Sequence, residues 1–174
     1  MKNNVKFITI VSYSHFLAYF FAGIFALAVA DYENLFATPE MALLMRQFGD
    51  PMIMLGPVLQ IFRGVLIALI LLPIKDVILD GKHGFLKLGI LILGLSFLST
   101  IGPTPGSFDG FIYTIIPVKS QLLGYPEAIF YILLFCSLIW ISYKIDQKWL
   151  YIIFILFTII ISCLLLSGYA NTIS

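Results

Sequence analysis

Long, continuous runs of apolar residues dominate the chain and are separated by short polar segments. A helix that crosses a bilayer needs about 20 mostly apolar residues. Five segments reach or approach that length, of which the third and fourth are the shortest. These segments cover residues 7–30, 51–74, 85–102, 126–143 and 149–170. The pattern predicts an all-α, multi-pass transmembrane helical bundle that forms a single integral membrane domain over residues 1–174.

The composition supports lipid as the main solvent of this chain. Hydrophobic residues make up 61% of the sequence and charged residues only 11%, with a mean hydropathy of +1.05. A soluble domain carries roughly 25% charged residues, so this chain has too few to cover a water-exposed surface. The sequence has no cluster of basic residues, so we predict no nucleic-acid partner. The two cysteines lack metal-site spacing, so we predict neither a metal site nor a cofactor.

The positions of lysine and arginine predict the orientation of the spans. Basic residues concentrate in the cytoplasmic loops of membrane proteins. On the five-span prediction, Arg46 and Lys119 lie on one side of the membrane and Arg63 lies within a span. The other basic residues lie on the side of the N-terminus, and they are Lys2, Lys6, Lys75, Lys82, Lys87, Lys144 and Lys148. We therefore expect a cytoplasmic N-terminus and an outer C-terminus in a cell membrane, either a plasma membrane or a bacterial inner membrane.

The first predicted span has a second interpretation, as a cleaved signal peptide. Lys2 and Lys6 precede an apolar stretch that ends in a small-x-small motif at residues 28–30. The stretch is long for a signal peptide and contains polar residues at positions 12–15. We favour an uncleaved span, and cleavage would leave four spans in the same orientation.

The first outer loop predicts a short amphipathic helix. Thr38 suits an N-cap, Pro39 the first helical position and Glu40 the first turn. Apolar residues then recur at helical spacing, at Met41, Leu44, Met45 and Phe48. Such a helix lies on the outer membrane surface or packs as a lid over the bundle, and the sequence does not separate these two arrangements.

The second outer loop is rich in glycine and proline. Residues 102–110 contain two prolines and three glycines, which cannot continue a helix, and an apolar segment too short to span follows at 111–116. Irregular backbone at membrane depth is tolerated only where it is buried in protein or lines a wet cavity. Residues 102–117 are therefore either a re-entrant half-helix or an interfacial helix, and we favour the interfacial form.

Arg63, at the middle of the second predicted span, is the most informative polar residue. An arginine at the bilayer centre costs about 2.5–3.5 kcal/mol on insertion scales, so we expect its side chain to face the bundle interior. Gln60 and Gly64 share its helical face. Guanidinium suits carboxylate and phosphate, which predicts an anion or polar-headgroup site. The alternative is a structural arginine that binds loops and backbone carbonyls.

His15 and Asp109 complete the predicted ligand-binding set with Arg63 and Gln60. His15 lies within the first span, where it is either a proton relay or general base, or a hydrogen-bonded packing residue. Asp109 lies in the glycine- and proline-rich loop and either pairs with Arg63 or caps a short helix near Ser107. Glu127 begins the fourth span, where a carboxylate stabilises a helix N-terminus, and we interpret it as structural.

These residues are compatible with three functions. The favoured hypothesis is binding or transport of a small anionic or amphiphilic ligand in a pocket around Arg63. The second is a non-catalytic accessory or assembly subunit, whose polar groups bind a membrane-protein partner or a second copy of the chain. A lipid-modifying enzyme is the third and least favoured, because the chain lacks the G-x-S-x-G, H-E-x-x-H, Walker and Rossmann motifs. We assign no catalytic or metal-binding residue.

Overall fold

The computed structural model describes residues 4–79, 82–98 and 104–173, and every regular element in this part of the chain is helical. Four described helices exceed 20 residues, and one of them, Pro51–Leu71, continues through a 3₁₀ turn at Leu72–Ile74. In chain order the helices are α1 (Asn4–Val29), α2 (Tyr32–Phe36), α3 (Pro39–Ala42), α4 (Pro51–Leu71), α5 (Lys75–Leu79), α6 (Gly84–Leu98), α7 (Phe108–Tyr113), α8 (Val118–Leu122), α9 (Tyr125–Ile145) and α10 (Lys148–Ile173). The prediction of an all-helical chain is confirmed for the described residues.

Four of the described helical segments are long and apolar enough to cross a membrane. They are Asn4–Val29, Pro51–Leu79, Val118–Ile145 and Lys148–Ile173. The third predicted span, 85–102, is represented by α6, which is apolar but has only 15 described residues. Residues 99–103 lie outside the described part. The structure therefore supports a multi-pass membrane protein with four candidate spanning helices.

Helix α1 is the centre of the bundle. It packs against α4, α9 and α10, and α6 packs against α9. Within the most apolar window of α1, 61% of the residues are buried, compared with 11% in α10. Phe16 of α1 and Phe135 of α9 are fully buried in the shared core. Protein therefore surrounds most of α1, whereas α10 presents most of its surface outward.

A close approach between α1 and α4 occurs at Gly64. A Cβ atom added there would lie 2.9 Å from both the Cα and the carbonyl oxygen of Ser12. The contact is with backbone, so it cannot be relieved by turning a side chain. Small residues allow helices in membranes to pack at short range. Gly64 therefore fixes the distance between these two helices next to His15.

Polar contacts connect the chain at the end of the bundle where α1 begins. Lys6 forms an ion pair with Asp146 in the α9–α10 turn. Lys75 donates a hydrogen bond to the Asn4 side chain, with 2.6 Å between nitrogen and oxygen. These contacts bring the start of α1, the start of α5 and the α9–α10 turn to the same end, because consecutive long helices run antiparallel. We call it the lysine-rich end.

The amphipathic helix predicted for the first outer loop is shorter in the structure. Helix α3 has four residues, and Leu44 and Phe48 follow it in turns, with exposed side chains. Thr38 occupies the N-cap position of α3 as predicted, but its side chain does not form the capping hydrogen bond. Its hydroxyl donates to the carbonyl of Leu35, 2.8 Å away, and no side-chain cap is formed. The bond to the preceding helix α2 competes with the cap and leaves α3 short.

The described part of the glycine- and proline-rich loop, which the sequence places on the outer side, contains two short helices. Ser107 caps α7, since its Oγ accepts a hydrogen bond from the backbone N–H of Gly110 at 3.0 Å. Asp109 lies in the first turn of α7 and does not cap it. The side chain of Gln121 is buried and donates to the carbonyl of Ile116 at 2.9 Å, which ties α8 to the end of α7. Residues 102 and 103 of this loop lie outside the described part.

Candidate functional site

A cavity of about 620 Å³ lies between α1, α4, α6 and α9, towards the end of the bundle opposite the lysine-rich end. Apolar residues such as Ile67, Ile92 and Leu95 form part of its wall. Its polar lining comes from four helices and one loop residue, and consists of His15, Tyr19, Arg63, Ser96, Thr104, Glu127 and Tyr131. Ligand sites typically combine an apolar wall with a few converging polar groups, and this cavity has that character.

The His15 imidazole is held by hydrogen bonds from two other helices. Its Nδ1 lies 2.6 Å from the Tyr131 hydroxyl of α9, and its Nε2 lies 3.1 Å from Oε1 of Gln60 on α4. The histidine is buried, with 1% of its surface exposed. An amide oxygen can only accept, so these contacts fit a neutral ring that donates through Nε2 and accepts the Tyr131 proton at Nδ1. His15 therefore joins α1, α4 and α9 at the base of the cavity.

Arg63 lies on the cavity wall contributed by α4, together with Ile67 one turn later. Its side chain is exposed rather than enclosed by protein. Among the described residues, the ion pairs are Lys6–Asp146 and Arg46–Asp50, and neither involves Arg63. No described side chain or carbonyl forms a hydrogen bond with its guanidinium. Arg63 thus presents a guanidinium to the cavity and forms no ion pair with any carboxylate in the described part of the chain.

Glu127 brings a negative charge to the same cavity. It lies in the first turn of α9, as the sequence predicts. Its Oε2 accepts a hydrogen bond from the Tyr32 hydroxyl of α2, 2.7 Å away. Burial, together with this bond to the carboxylate, raises the pKa of the Tyr32 phenol above its usual value. Helix α2 is therefore attached to the rim of the cavity, and Glu127 has a part in the site beyond its helix-terminal position.

The predicted site residues are only partly brought together. His15 and Arg63 line the cavity, and Gln60 holds the His15 ring. Asp109 does not line the cavity, and the described structure contains no ion pair between Asp109 and Arg63. Sequence reasoning missed Tyr131 and assigned Glu127 only a structural role. The i, i+4 spacing of these two residues at the start of α9 was the available signal, because it places them on one helical face.

The described residues contain no group of three or more histidine, cysteine, aspartate or glutamate side chains arranged to hold a metal ion. Comparison of the chain with family models, with curated proteins and with solved structures gave no match. The cavity itself is therefore the best guide to the function of this chain.

Proposed function

We propose that this protein binds, or carries across the membrane, a small anionic or amphiphilic ligand that occupies the cavity around Arg63. The observation that supports this proposal most is an arginine in the middle of a candidate spanning helix that lines a cavity and has no acidic partner among the described residues. A carboxylate or phosphate would supply the missing charge, and the guanidinium can bind either through two parallel hydrogen bonds.

The surrounding side chains favour a ligand with a polar head and an apolar body. Ile67, Ile92 and Leu95 offer apolar contact beside the polar groups. Glu127 on the rim would repel a second negative charge and would accept a hydrogen bond from a hydroxyl or ammonium group of the ligand. Both ring nitrogens of His15 are engaged by protein, which supports a positioning role over a role as general base.

We further propose that the chain crosses a cell membrane five times, with α6 and the residues after it forming the third span, and that its N-terminus is cytoplasmic. The apolar character of α6 and its packing against α9 support one more crossing in addition to the four candidate spanning helices. The central position of α1 supports its retention, since cleavage after residue 30 would remove the most buried helix of the bundle. The lysines at the lysine-rich end support the orientation.

Thermal unfolding in a neutral detergent tests the ligand proposal with three probes of equal chain length: decyl phosphate, decanoate and decyltrimethylammonium. Decyl phosphate and decanoate should raise the Tm of the wild type, and the cation should not. Arg63→Gln should abolish the shift, whereas Arg63→Lys should retain part of it because a charge remains without the guanidinium fork. Arg46→Gln, which changes the other arginine in the sequence, should behave as the wild type.

A second variant separates loss of binding from loss of folding. Ala128 lines the cavity from α9, so Ala128→Leu should fill part of the space and reduce the shift without a change in charge. An equal shift with all three probes, or an unchanged shift in Arg63→Gln, would contradict the proposal. If no probe stabilises the wild type and Arg63→Gln lowers its abundance in membranes, Arg63 has a structural role and the accessory-subunit hypothesis gains.

A further inference from the structure

A second cavity, of about 680 Å³, lies at the lysine-rich end of the bundle, far from Arg63. It is formed where the turn before α6 meets the last turns of α9. We call it the basic groove. Its charged and polar lining comes from Lys82, His83, Ser137 and Lys144, and its apolar lining includes Phe85 and Trp140.

Positive charge in the basic groove comes from two separate segments of the chain. Lys82 precedes α6, and Lys144 lies in the last turn of α9, and both side chains are exposed. Neither takes part in an ion pair among the described residues. Asp80, which precedes them in the sequence, lies outside the described part. The packing of α6 against α9 therefore places the ammonium group of Lys144 in the same groove as Lys82 and His83, which lie about 60 residues earlier in the chain.

The rest of the basic groove is suited to a lipid. Trp140 is 43% exposed and lies one turn before Lys144 on the same face of α9. Tryptophan prefers the membrane–water interface, where the ring contacts both head groups and the first part of the acyl chains. Leu86 and Ile141 extend the apolar wall next to the lysines. A basic rim beside an exposed apolar wall complements the phosphate and the acyl chains of one molecule.

We propose that the basic groove is a binding site for an anionic phospholipid, with the phosphate between Lys82 and Lys144 and the acyl chains along Trp140. Basic pockets between membrane helices bind anionic lipid head groups in this way. This site is independent of the cavity around Arg63, and its test does not use the same residues.

The fluorescence of Trp140 provides a direct test. The sequence contains two tryptophans, so the variant Trp149→Phe leaves Trp140 as the only indole reporter. This variant is reconstituted in phosphatidylcholine vesicles that contain increasing fractions of phosphatidylglycerol with brominated acyl chains, and quenching reports lipid next to Trp140. Brominated phosphatidylcholine is the matched neutral probe. We expect brominated phosphatidylglycerol to quench the fluorescence of Trp140 at a much lower mole fraction than brominated phosphatidylcholine does.

Lysine substitutions in the Trp149→Phe background identify the site. Lys82→Gln combined with Lys144→Gln should reduce the preference for phosphatidylglycerol by about 20-fold, since one basic residue near an anionic surface contributes roughly fivefold in binding. Lys87→Gln combined with Lys148→Gln removes the same charge near the same end, outside the basic groove, and should leave most of the preference intact.

Three results would overturn the proposal. The first is equal quenching by the two brominated lipids. The second is an equal loss of preference in both double-lysine variants, which would indicate general attraction to an anionic surface. The third is recovery of Trp140 fluorescence on addition of soluble glycerol phosphate, which would identify a site for a free phosphate ester instead of a lipid.

Discussion

Replacement of Gly64 by alanine should destabilise the bundle, because Gly64 sets the distance between α1 and α4. The added Cβ would lie 2.9 Å from two backbone atoms of Ser12 and 3.3 Å from Cβ of His15, whereas ordinary contacts are 3.4–4 Å. The two helices must therefore separate by about half an ångström. Overpacking of this kind costs about 1–3 kcal/mol.

Gly23→Ala is the matched control for this prediction, because both glycines lie inside long helices, neither precedes a proline, and the gain in helix propensity cancels between them. A Cβ at Gly23 would meet no described atom within 4 Å. We expect Gly64→Ala to have a free energy of unfolding about 1–3 kcal/mol lower than Gly23→Ala. Denaturant titration in mixed micelles, followed by circular dichroism, measures the difference. Equal stability of the two variants would refute the close packing of α1 on α4.

Three further substitutions test other contacts. Tyr131→Phe should lower the free energy of unfolding by about 1–3 kcal/mol in the same titration, because Nδ1 of the buried His15 loses its donor, and an unchanged value would refute that bond. Burial and a hydrogen bond to a carboxylate raise the pKa of Tyr32, so the stability that the neutral phenol contributes is complete below about pH 10 and is lost as the pH rises through the folded-state pKa. Tyr32→Phe should therefore lose less stability at alkaline pH than the wild type, and parallel pH profiles of the two proteins would contradict this. Gly84→Ala should destabilise the protein more than Gly89→Ala, because an added Cβ collides with the carbonyl oxygen of Ile78 in α5 only at Gly84. Similar Tm values for the two variants would argue against the close approach of α5 to the start of α6.

The sequence predicted the polar face of α4 correctly in part. Helical spacing places Gln60, Arg63 and Gly64 on one side, and the structure uses two of them against α1 and the third on the cavity wall. Spacing was sufficient here because a glycine and two polar residues differ clearly from the leucines and isoleucines around them. The cost of an arginine in lipid predicted a side chain that faces the bundle interior, whereas the Arg63 side chain is exposed and lies on the cavity wall.

The partners of these residues were harder to predict. Helix α9 is apolar around most of its circumference, so hydrophobic periodicity does not indicate which side meets α1. That choice decides whether Tyr131 reaches His15, and it depends on packing across the whole bundle. Local polar contacts at the helix termini were also hard to predict. The hydroxyl of Thr38, the N-cap residue of α3, donates to the carbonyl of Leu35 instead of capping the helix, and Ser107 caps α7 in place of Asp109. Short polar side chains can bind several nearby backbone groups, and their spacing alone does not select among them.

Binding of an anionic group at Arg63, on the wall of the cavity, can be seen directly by diffraction. In crystals grown with bromine-labelled decanoate, the anomalous signal of bromine identifies the path of the ligand. We expect a bromine peak between α1, α4, α6 and α9, with the carboxylate within hydrogen-bonding distance of the Arg63 guanidinium. Bromine only on the outward faces of the helices, with no carboxylate at Arg63, would contradict it.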